Sequence, residues 1–474
     1  MPELIAALDV GTSAVGAGLF RPDGGLAAFA SQRLVSTSPG PSRLEQDAEA
    51  VWRAARRTVS KALATARRGA SDLAAIGVTT QRTSVVVWDR RTGKPLAPMV
   101  IWSDLRGVGR SAELRAEGFT VYPQQAAAKL EAIVAAIPSD TRRDLLWGNI
   151  DSYLIWKLSG GAVHATDRSQ AFPTAYLDLS TMGWNRALID RQRLDPAIFP
   201  SLVDTWGPIG VTAKSVFGAA VPITADVADQ QSALIAHGGE AGCAKVTYGT
   251  SATMNLGTGS ELVLKSMAAP PFVQSSVGGD TRFCLEGMVY SAASALDWLR
   301  ASFKMGGHAA FDALVASASN AGGVSFLPAL QGLGAPHGDP ARRGRLEGLA
   351  TDTSRAQIAH AGLEGVAFRV REVVEHLYAI SGMTPPDALG VDGGLTASDR
   401  FLQIQADLLG RPIRRHAVRE ATACGAAICA GLGAGLLTPA DARAFVRYER
   451  TFEPAIGADE SDCRFERWKA AVYG

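Results

Sequence analysis

Two short turns of the same composition carry the first sign of chemistry in this chain. The triplet Gly-Thr-Ser occurs at residues 11–13 and again at residues 249–251, about half of the 474 residues apart. Each triplet interrupts a run of apolar or β-prone residues and precedes a second such run, which is typical of a β-hairpin. Turns of glycine and hydroxyl residues expose backbone N–H groups that hold phosphate oxygens. A single triplet is more often a plain turn, but the pair suggests two lobes that grip a nucleotide triphosphate.

Two aspartates follow apolar runs at positions suited to ligand binding. Asp9 comes after five apolar residues and is separated from the first triplet only by Val10. There a carboxylate could hold Mg²⁺ through water, although an isolated turn-capping aspartate is commoner. Asp229 ends another apolar run and is followed by Gln230 and Gln231. It could simply cap a helix. Because ligands of open α/β sheets bind beyond the carboxyl ends of strands, we interpret Asp229 as a candidate general base for a substrate hydroxyl.

Three further residues could bind an acceptor molecule. The sequence predicts a hairpin in which residues 84–88 pair with residues 99–102, and this pairing would bring Arg82, Trp102 and Asp104 to one rim. Arginine and aspartate bind hydroxyl groups, and an indole covers a carbon face, so the cluster suits a small polyol or sugar. A surface hairpin with ordinary charges is the alternative.

A glycine pair marks a possible site for a flat ring. Gly393 and Gly394 lie between a predicted strand and a predicted helix, with Ser398 about one turn later. Paired glycines let a ring approach the backbone closely, although a tight βα loop is the simpler reading of such a pair. Neither a P-loop motif nor a strand-placed G-x-G-x-x-G occurs, so those two nucleotide folds are excluded.

The length and composition indicate what must position these residues. A chain of 474 residues exceeds the size of one hydrophobic core, so we expect two domains, 1–238 and 239–474, joined by a glycine-rich hinge near residues 236–243. Strands that alternate twice with long helices predict an α/β protein.

Bulk properties exclude several classes of protein. The net charge of +1, without a basic stripe, argues against nucleic-acid binding. The sequence shows no secretory signal and no long apolar span. The five cysteines lack ligand spacing and suit a reducing compartment. We therefore expect a cytoplasmic protein that does not bind membranes.

Taken in order, the motifs resemble those of the FGGY carbohydrate kinases, and most closely their glycerol kinase branch. The resemblance rests on Leu8–Ser13, on Gln81-Arg82 with residues 87–89 and 101–102, on Asp229–Leu234, on residues 245–259 and 332–344, and on Val391–Gly394 with the helix after it. It implies two actin-like (ribonuclease H-like) lobes, each a mixed sheet flanked by helices, with a cleft between them.

The resemblance also implies ATP and Mg²⁺ as cofactors and a role for each matching position. Asp229 is similar to the family's catalytic base, and Asp9 and Asp229 to its metal-side carboxylates. The phosphate-binding positions correspond to Thr12, Ser13, Gly249 and Thr250, and the nucleotide-side positions to Ala293, Gly394 and Ser398. The substrate-binding positions correspond to Arg82, Thr83, Trp102, Asp104, Gln124 and Gln230.

Several positions depart from the glycerol kinase pattern. Thr83 stands where that branch has Glu, Gln124 where it has Tyr, and Thr253 where it has a pocket Phe. An arginine that reaches the phosphates is replaced by Gly16, and a nucleotide-side glycine by Ala293. Because hydroxyl-binding sites discriminate strongly, such changes redirect specificity. We expect a wetter and roomier pocket, for a polyol or sugar larger than glycerol.

The expected reaction is ATP-dependent phosphorylation of a hydroxyl of a small polyol or sugar. Alternatives are a related pentulose or pentitol kinase resembling xylulokinases, a non-kinase actin-like ATPase, and a sugar-binding regulator without catalysis. The cluster of Arg82, Trp102 and Asp104 argues against an actin-like ATPase, which needs no acceptor site. We further expect a homo-oligomer, a dimer or a tetramer.

Overall fold

Contacts divide the described part of the chain, residues 3–474 of the computed structural model, into two units. The first unit runs through Ala236 and also includes Phe272–Arg282 and Thr422–Phe445. The second unit consists of His237–Pro271, Phe283–Ala421 and Val446–Gly474. The main division lies two residues before the expected break at 238/239. The two later segments that pack with the first unit were not expected from a linear division of the sequence.

The first unit is built on a six-stranded mixed sheet. Its order is Trp206–Val211, Pro222–Ala228, Leu73–Thr80, Leu4–Val10, Ala14–Phe20 and Leu26–Arg33. The second, third and fourth strands of this order run parallel, and the outer pairs are antiparallel. The central strands are almost wholly buried, as the near-continuous apolar sequences of covered parallel strands require. Their carboxyl ends therefore lie together at one edge of the sheet.

Helices cover this sheet and short elements extend from it. Val51, Ala55, Val59 and Leu63 recur every four positions, a pattern that predicts a helix over 45–68. In the long helix Ala48–Ala66 all four are buried. The other helices of this unit are Val108–Ala116, Leu130–Ala136, Ile150–Leu158, Arg168–Ala171, Arg186–Arg191, Lys214–Phe217, Asp229–Ala236, Ala421–Gly433 and Pro439–Arg443. Its minor strands are Glu45–Gln46, Val86–Asp89, Met99–Val100, Leu145–Gly148, Ala165–Asp167, Leu177–Asp178, Gly183–Trp184 and Ser201–Val203.

The second unit contains another mixed sheet. Its strands follow the order Asp280–Val289, Ala252–Gly259, Ala244–Tyr248, Leu389–Asp392, Ile413–His416 and Tyr448–Phe452. Pro271–Val277 pairs with the first of these, and Ser325–Leu327 pairs separately with Arg345–Glu347. The helices are Ala293–Ser302, His308–Ala316, Arg355–Ser381, Asp399–Leu409 and Ala458–Tyr473. A mixed sheet flanked by helices in each unit confirms the predicted α/β class.

The predicted hairpin of residues 84–88 and 99–102 is only partly formed. Val85 and Val100 exchange two backbone hydrogen bonds, of 2.8 and 3.0 Å. The strand Val86–Asp89, however, pairs with Leu145–Gly148. This pairing buries Trp88 completely, and burial of a large aromatic outweighs local turn preference. Within residues 3–474, no helix has the combined length and apolar character needed to cross a bilayer.

Candidate active site

The first Gly-Thr-Ser triplet forms a tight turn between the first two strands, as predicted. The backbone N–H of Gly11 donates to the carbonyl of Ala14 at 3.0 Å and closes the turn. Ser13 at the tip is exposed, and Thr12 is half-buried. The turn therefore presents a hydroxyl and backbone groups at the surface, as a phosphate-binding turn must.

The Thr12 side chain connects this turn to the expected acceptor residues. Its hydroxyl donates to Oε1 of Gln81 at 2.9 Å and accepts from Nε1 of Trp102 at 3.0 Å. Nε2 of Gln46 donates to the Thr12 carbonyl at 2.7 Å and thereby holds the backbone of the turn. Gln46 was not foreseen from the sequence, because it lies in a two-residue strand far from either motif.

Asp9 precedes the turn on the same strand. It is half-buried and lies opposite Gly16 on one neighbouring strand and Thr79 on the other. A β-carbon at position 16 would lie 2.9 Å from the Phe29 ring and 3.8 Å from the Asp9 β-carbon. A side chain at position 16 would therefore require the Phe29 ring to shift, whereas its contact with Asp9 would be an ordinary one.

Asp229 forms an ion pair with Arg82. Asp229 is the first residue of its helix and follows a central strand directly. Its Oδ1 accepts from the backbone N–H of Gln230 at 2.8 Å and lies 3.6 Å from Nε of Arg82. The Arg82 and Asp229 side chains are 15% and 23% exposed, so both can be reached from solvent. The Arg82 guanidinium also stacks on the Phe272 ring, 4.7 Å from its centroid.

A strained residue follows Arg82. Thr83 is buried and has a backbone φ of 57°, in the left-handed region that β-branched residues rarely adopt. Such strain costs roughly 1–3 kcal/mol and is concentrated at functional sites.

A buried lysine supports the Trp102 loop. Trp102 is 38% exposed, whereas Lys129 is 1% exposed. The Lys129 ammonium group donates to the carbonyls of Ile101 at 3.0 Å and Trp102 at 3.4 Å. Burial lowers the pKa of Lys129 to about 7, and the neighbouring Asp104 carboxylate opposes part of that fall. The sequence signal was an isolated lysine among small apolar residues.

The structure gives Asp104 a supporting role. Its oxygens accept from the backbone N–H of Leu44 at 2.7 Å and from three N–H groups of Arg106 at 2.8–2.9 Å. The side chain is completely buried, and four bonds fill its acceptor sites. Asp104 therefore offers no open oxygen to a substrate. Gln124, by contrast, is exposed and lies just before a short 3-10 turn.

A buried amide and hydroxyl align the strands that carry Arg82 and Asp229. Nε2 of Gln170 donates to the hydroxyl of Thr80 at 2.9 Å and to the carbonyl of Val227 at 3.2 Å. The hydroxyl of Ser169 accepts from the backbone N–H of Ala228 at 2.9 Å. Both residues come from the helix Arg168–Ala171, which therefore fixes the two strand ends.

Three carboxyl groups are buried below these strand ends: Asp151, Asp167 and Asp226. Oδ2 of Asp226 accepts from the backbone N–H of Asp167 at 2.9 Å, and Asp226 also shares a carboxyl–carboxyl hydrogen bond with Asp151. Burial, followed by the two neighbouring carboxylates, raises the pKa of Asp226 well above its usual value. Burial raises the pKa of Asp167 to about 6.

The second Gly-Thr-Ser triplet, in the second unit, repeats the first. It joins the antiparallel strands Ala244–Tyr248 and Ala252–Gly259, and the N–H of Gly249 donates to the Ser251 carbonyl at 2.9 Å. Gly249 and Thr250 are exposed. The backbone N–H of Ala293 donates to the Gly249 carbonyl at 3.2 Å. Ala293, which was expected on the nucleotide side, therefore lies directly beside this turn.

The expected adenosine loop contacts the same turn from within the second unit. Gly393 has φ 91°, and a β-carbon there would lie 2.5 Å from the carbonyl oxygen of Tyr248, so only glycine fits. A β-carbon at Gly394 would meet nothing within 4 Å, which leaves its backbone open to a flat ring. Ser398 caps the next helix by accepting from the N–H of Phe401 at 3.3 Å.

A buried charged network supports this loop. Nε2 of His237 lies 2.9 Å from Oδ2 of Asp392, the residue before Gly393, and both side chains are almost fully buried. The pKa of Asp392 is lowered because the His237 hydrogen bond and the nearby Lys245 ammonium outweigh the opposing effect of burial. Lys245 itself donates to the Thr247 hydroxyl at 2.7 Å. This network was not foreseen from the sequence.

Comparison with known proteins places these features in context. The N-terminal domain model of the FGGY family of carbohydrate kinases matches residues 4–236, and its C-terminal domain model matches residues 244–434. The chain is 36% identical to the glycerol kinase of Thermus brockianus, over 99% of this chain and 98% of that protein. It is 38% identical to the glycerol kinase of Trichlorobacter lovleyi, over 91% and 90%.

Solved structures show the same fold. The glycerol kinase of Plasmodium falciparum with ADP superposes with a TM-score of 0.89 at 23% identity, over 98% of this chain and 97% of that chain. The xylulose kinase of Rhodospirillum rubrum gives a TM-score of 0.82 at 26% identity, over 98% of both chains.

Proposed function

The chain belongs to the FGGY family of carbohydrate kinases, and on that premise we propose that it transfers the γ-phosphoryl group of ATP to a hydroxyl of a small polyol. It is a phosphotransferase with an alcohol acceptor. Glycerol is the first candidate acceptor, because full-length relatives at 36% and 38% identity are named glycerol kinases.

The observation that carries the proposal is the partly exposed pair of Asp229 and Arg82. A carboxylate accepts a proton from an alcohol, and a guanidinium donates hydrogen bonds to neighbouring hydroxyls. At 3.6 Å the two groups are close enough to act on adjacent parts of one small molecule. Trp102, which is 38% exposed, supplies an indole face for the carbon chain.

The chain's own residues then account for the reaction. Asp229 accepts the proton of the acceptor hydroxyl while that oxygen bonds to the γ-phosphorus and the bond to the bridging oxygen of ADP breaks. Help from a general base is typically worth about 10²–10⁴ in rate. Each unit contributes its own phosphate-binding turn, Thr12 and Ser13 in the first and Gly249 and Thr250 in the second, since phosphoryl transfer depends chiefly on positioning and charge.

The nucleotide base and ribose are assigned to the second unit. The open backbone at Gly394 accommodates the flat base, and the Ser398 hydroxyl lies a short turn further along the chain. Ala293 borders the second phosphate turn through its backbone.

The carboxylates at the strand ends fit Mg²⁺ bound together with ATP. Asp9 and Asp229 extend from strands separated by one intervening strand, about 10 Å between backbones. Mg²⁺ usually keeps several waters and takes one or two carboxylates plus phosphates, which suits such a spacing. Among the described residues, no group of three or more His, Cys, Asp or Glu side chains could form a protein-only metal site. The ion would neutralise phosphate charge.

A coupled assay of ADP release tests the function. The purified chain is given Mg·ATP and, in separate reactions, glycerol, erythritol, xylitol, ribulose and xylulose. Acceleration by glycerol supports the proposal, and faster turnover of a four- or five-carbon acceptor supports the roomier pocket expected from Thr83 and Gln124. Unaccelerated ATP hydrolysis would favour an actin-like ATPase. The expected dimer or tetramer stays a prediction, which the molar mass from light scattering tests.

A further inference from the structure

The Phe272 ring lies beside Arg82, although 190 positions separate them in the sequence. Its centroid is 4.7 Å from the guanidinium carbon, within the range of a cation–π interaction. The ring of Phe172 meets Phe272 edge-on, with centroids 5.8 Å apart and an interplanar angle of 89°. Both phenylalanines are only partly buried. Phe272, which Phe172 contacts edge-on, thus lies against the guanidinium that pairs with Asp229.

The segment that carries Phe272 is anchored firmly in the first unit. The backbone N–H of Ser276 donates to the Thr205 hydroxyl at 2.9 Å, and the N–H of Thr205 donates to the Ser276 carbonyl at 2.9 Å. The N–H of Asp226 donates to the Thr205 carbonyl at 3.1 Å. Thr205 therefore joins this segment to the strand Pro222–Ala228, which directly precedes Asp229.

Phe172 is held by a different route to the same strand. It follows the helix Arg168–Ala171, whose Ser169 and Gln170 bond to the ends of the strands that carry Arg82 and Asp229. The two rings are thus carried by different segments, which are joined where the Thr205 hydroxyl donates to Asp167, the cap of that helix, at 2.8 Å. Support from two segments is more typical of a positioned surface than of an incidental contact between two partly buried rings.

We propose that Phe272, with Phe172, forms the apolar wall of the acceptor subsite and fixes the plane of the Arg82 guanidinium. This inference rests on the proposed function. The wall faces the carbon chain of a linear polyol, while Arg82 binds a hydroxyl and Asp229 takes the proton of another. Phe272 is a positioning and specificity-determining residue in this arrangement, and its bulk limits the length of the acceptor.

The test compares three substitutions at one position. Phe272→Tyr keeps the ring, Phe272→Leu keeps an apolar side chain without a ring, and Phe272→Ala removes both. Because cation–π contacts contribute about 0.5–2 kcal/mol, loss of the ring should raise the acceptor KM by about 2–30-fold. The KM for ATP should change by less than about twofold, because the nucleotide motifs are untouched.

Selectivity between acceptors is a measurement that would not change if Phe272 had a merely structural role. Phe272→Ala should raise the ratio of kcat/KM for xylitol to that for glycerol, because it removes bulk from the wall. Phe272→Tyr should keep both the KM and the ratio near those of the unmodified protein. Phe217→Leu is the matched control, since Phe217 is another partly buried phenylalanine of this unit that packs on its core.

The outcomes separate the two proposals. If the unmodified protein phosphorylates no polyol, the proposed function fails. If it phosphorylates one, but Phe272→Leu and Phe272→Ala match the control in acceptor KM and in selectivity, only the wall is overturned. Thermal unfolding of each variant checks its folding. If a Phe272 variant does not fold, Phe172→Leu tests the wall in its place and should give the same change in selectivity.

Discussion

The indole N–H of Trp102 donates a hydrogen bond of 3.0 Å to the hydroxyl of Thr12. Trp102 belongs to the proposed acceptor subsite and Thr12 to the first phosphate turn, so one bond joins the two. The Thr12 hydroxyl in turn donates a hydrogen bond to Oε1 of Gln81, the residue before Arg82. The proposed acceptor subsite and the first phosphate turn are therefore linked by one connected set of side chains.

This link predicts non-additive kinetics. Trp102→Phe keeps a ring without the N–H, and Thr12→Val keeps the shape without the hydroxyl. Loss of a hydrogen bond worth about 0.5–1.5 kcal/mol should raise the acceptor KM about 2- to 12-fold in either variant. The double variant should resemble the more affected single variant, because both remove the same bond.

Trp184→Phe is the control for that cycle. Its indole donates to the Pro200 carbonyl at 2.9 Å, outside the proposed site. The variant should leave both KM values unchanged. Strictly additive effects of the Thr12 and Trp102 substitutions would show that the bond does not couple the two sites.

Asp229→Asn tests the general base. Asn keeps an oxygen for the Gln230 backbone N–H, so the helix start should survive. It cannot take a proton from an alcohol, and kcat should fall by about 10²–10⁴ with little change in the KM for ATP. Asp195→Asn is a matched control, because Asp195 also accepts a backbone N–H at the start of a short helix, at 2.9 Å. Unchanged kcat in Asp229→Asn would disprove the assignment.

Local signals in the sequence predicted much of the fold. The residue patterns predict a strand over 244–248 and a helix over about 399–409, and the structure has Ala244–Tyr248 and Asp399–Leu409. The helix carries its own boundary signals, since Ser398 caps its start and Gly410, at φ 67°, ends it. Where such residues flank a periodic run, the sequence determines the element locally.

Long-range contacts determined what the sequence did not reveal. Phe272 lies beyond the expected division at 238/239, so a linear reading could not place it beside Arg82. Asp104 was expected to bind substrate, but Arg106, two residues later, occupies it. That close acidic–basic spacing was the available signal for a structural pair.

The strained backbone of Thr83 predicts opposite effects on stability and binding. Asn tolerates the left-handed region better than Thr, so Thr83→Asn should raise the free energy of unfolding by about 1 kcal/mol. Its acceptor KM should rise, because the threonine hydroxyl is lost. Thr83→Val separates the two effects: it keeps the strain and loses the hydroxyl. Denaturant titration and acceptor kinetics measure them, and a less stable Thr83→Asn would contradict the claim of strain.

Burial of Lys129 should make the free energy of unfolding of the protein rise with pH. Its pKa of about 7 in the folded chain lies below the ordinary value of 10.5. Between these values the unfolded chain holds a proton that the folded chain lacks, so the free energy of unfolding rises with pH. The limiting slope is about 1.4 kcal/mol per pH unit. Below pH 7 the cost of burying the charge is fully present.

Lys129→Met should remove this slope. Asp104 and Arg106 are the charged groups that act on Lys129, and both remain in the variant. Denaturant unfolding at half-unit steps from pH 7 to pH 9.5 compares the variant with the unmodified chain and with the exposed-site control Lys61→Met. Parallel curves for all three proteins would rule out a depressed Lys129 pKa.

We expect an isosteric substitution in the buried carboxyl cluster to stabilise the protein. The raised pKa of Asp226 means that, above pH 3.8, the folded chain keeps a proton that the unfolded chain releases. Stability therefore falls as pH rises toward the folded pKa. Asp226→Asn has no such proton to lose. Its amide oxygen can accept from the Asp167 N–H, and its NH₂ can donate to Asp151 as the protonated carboxyl does.

Asp226→Asn should therefore exceed the unmodified chain in free energy of unfolding at pH 8, and the gain should shrink as the pH falls toward 4. Asp167→Asn provides the contrast within the same cluster. Asp167 accepts from two backbone N–H groups and from the hydroxyls of Ser169 and Thr205. An NH₂ group there would face donors, so this variant should be destabilised across the whole pH range. If Asp226→Asn is no more stable than the unmodified chain at pH 8, the cluster does not hold an excess proton on Asp226.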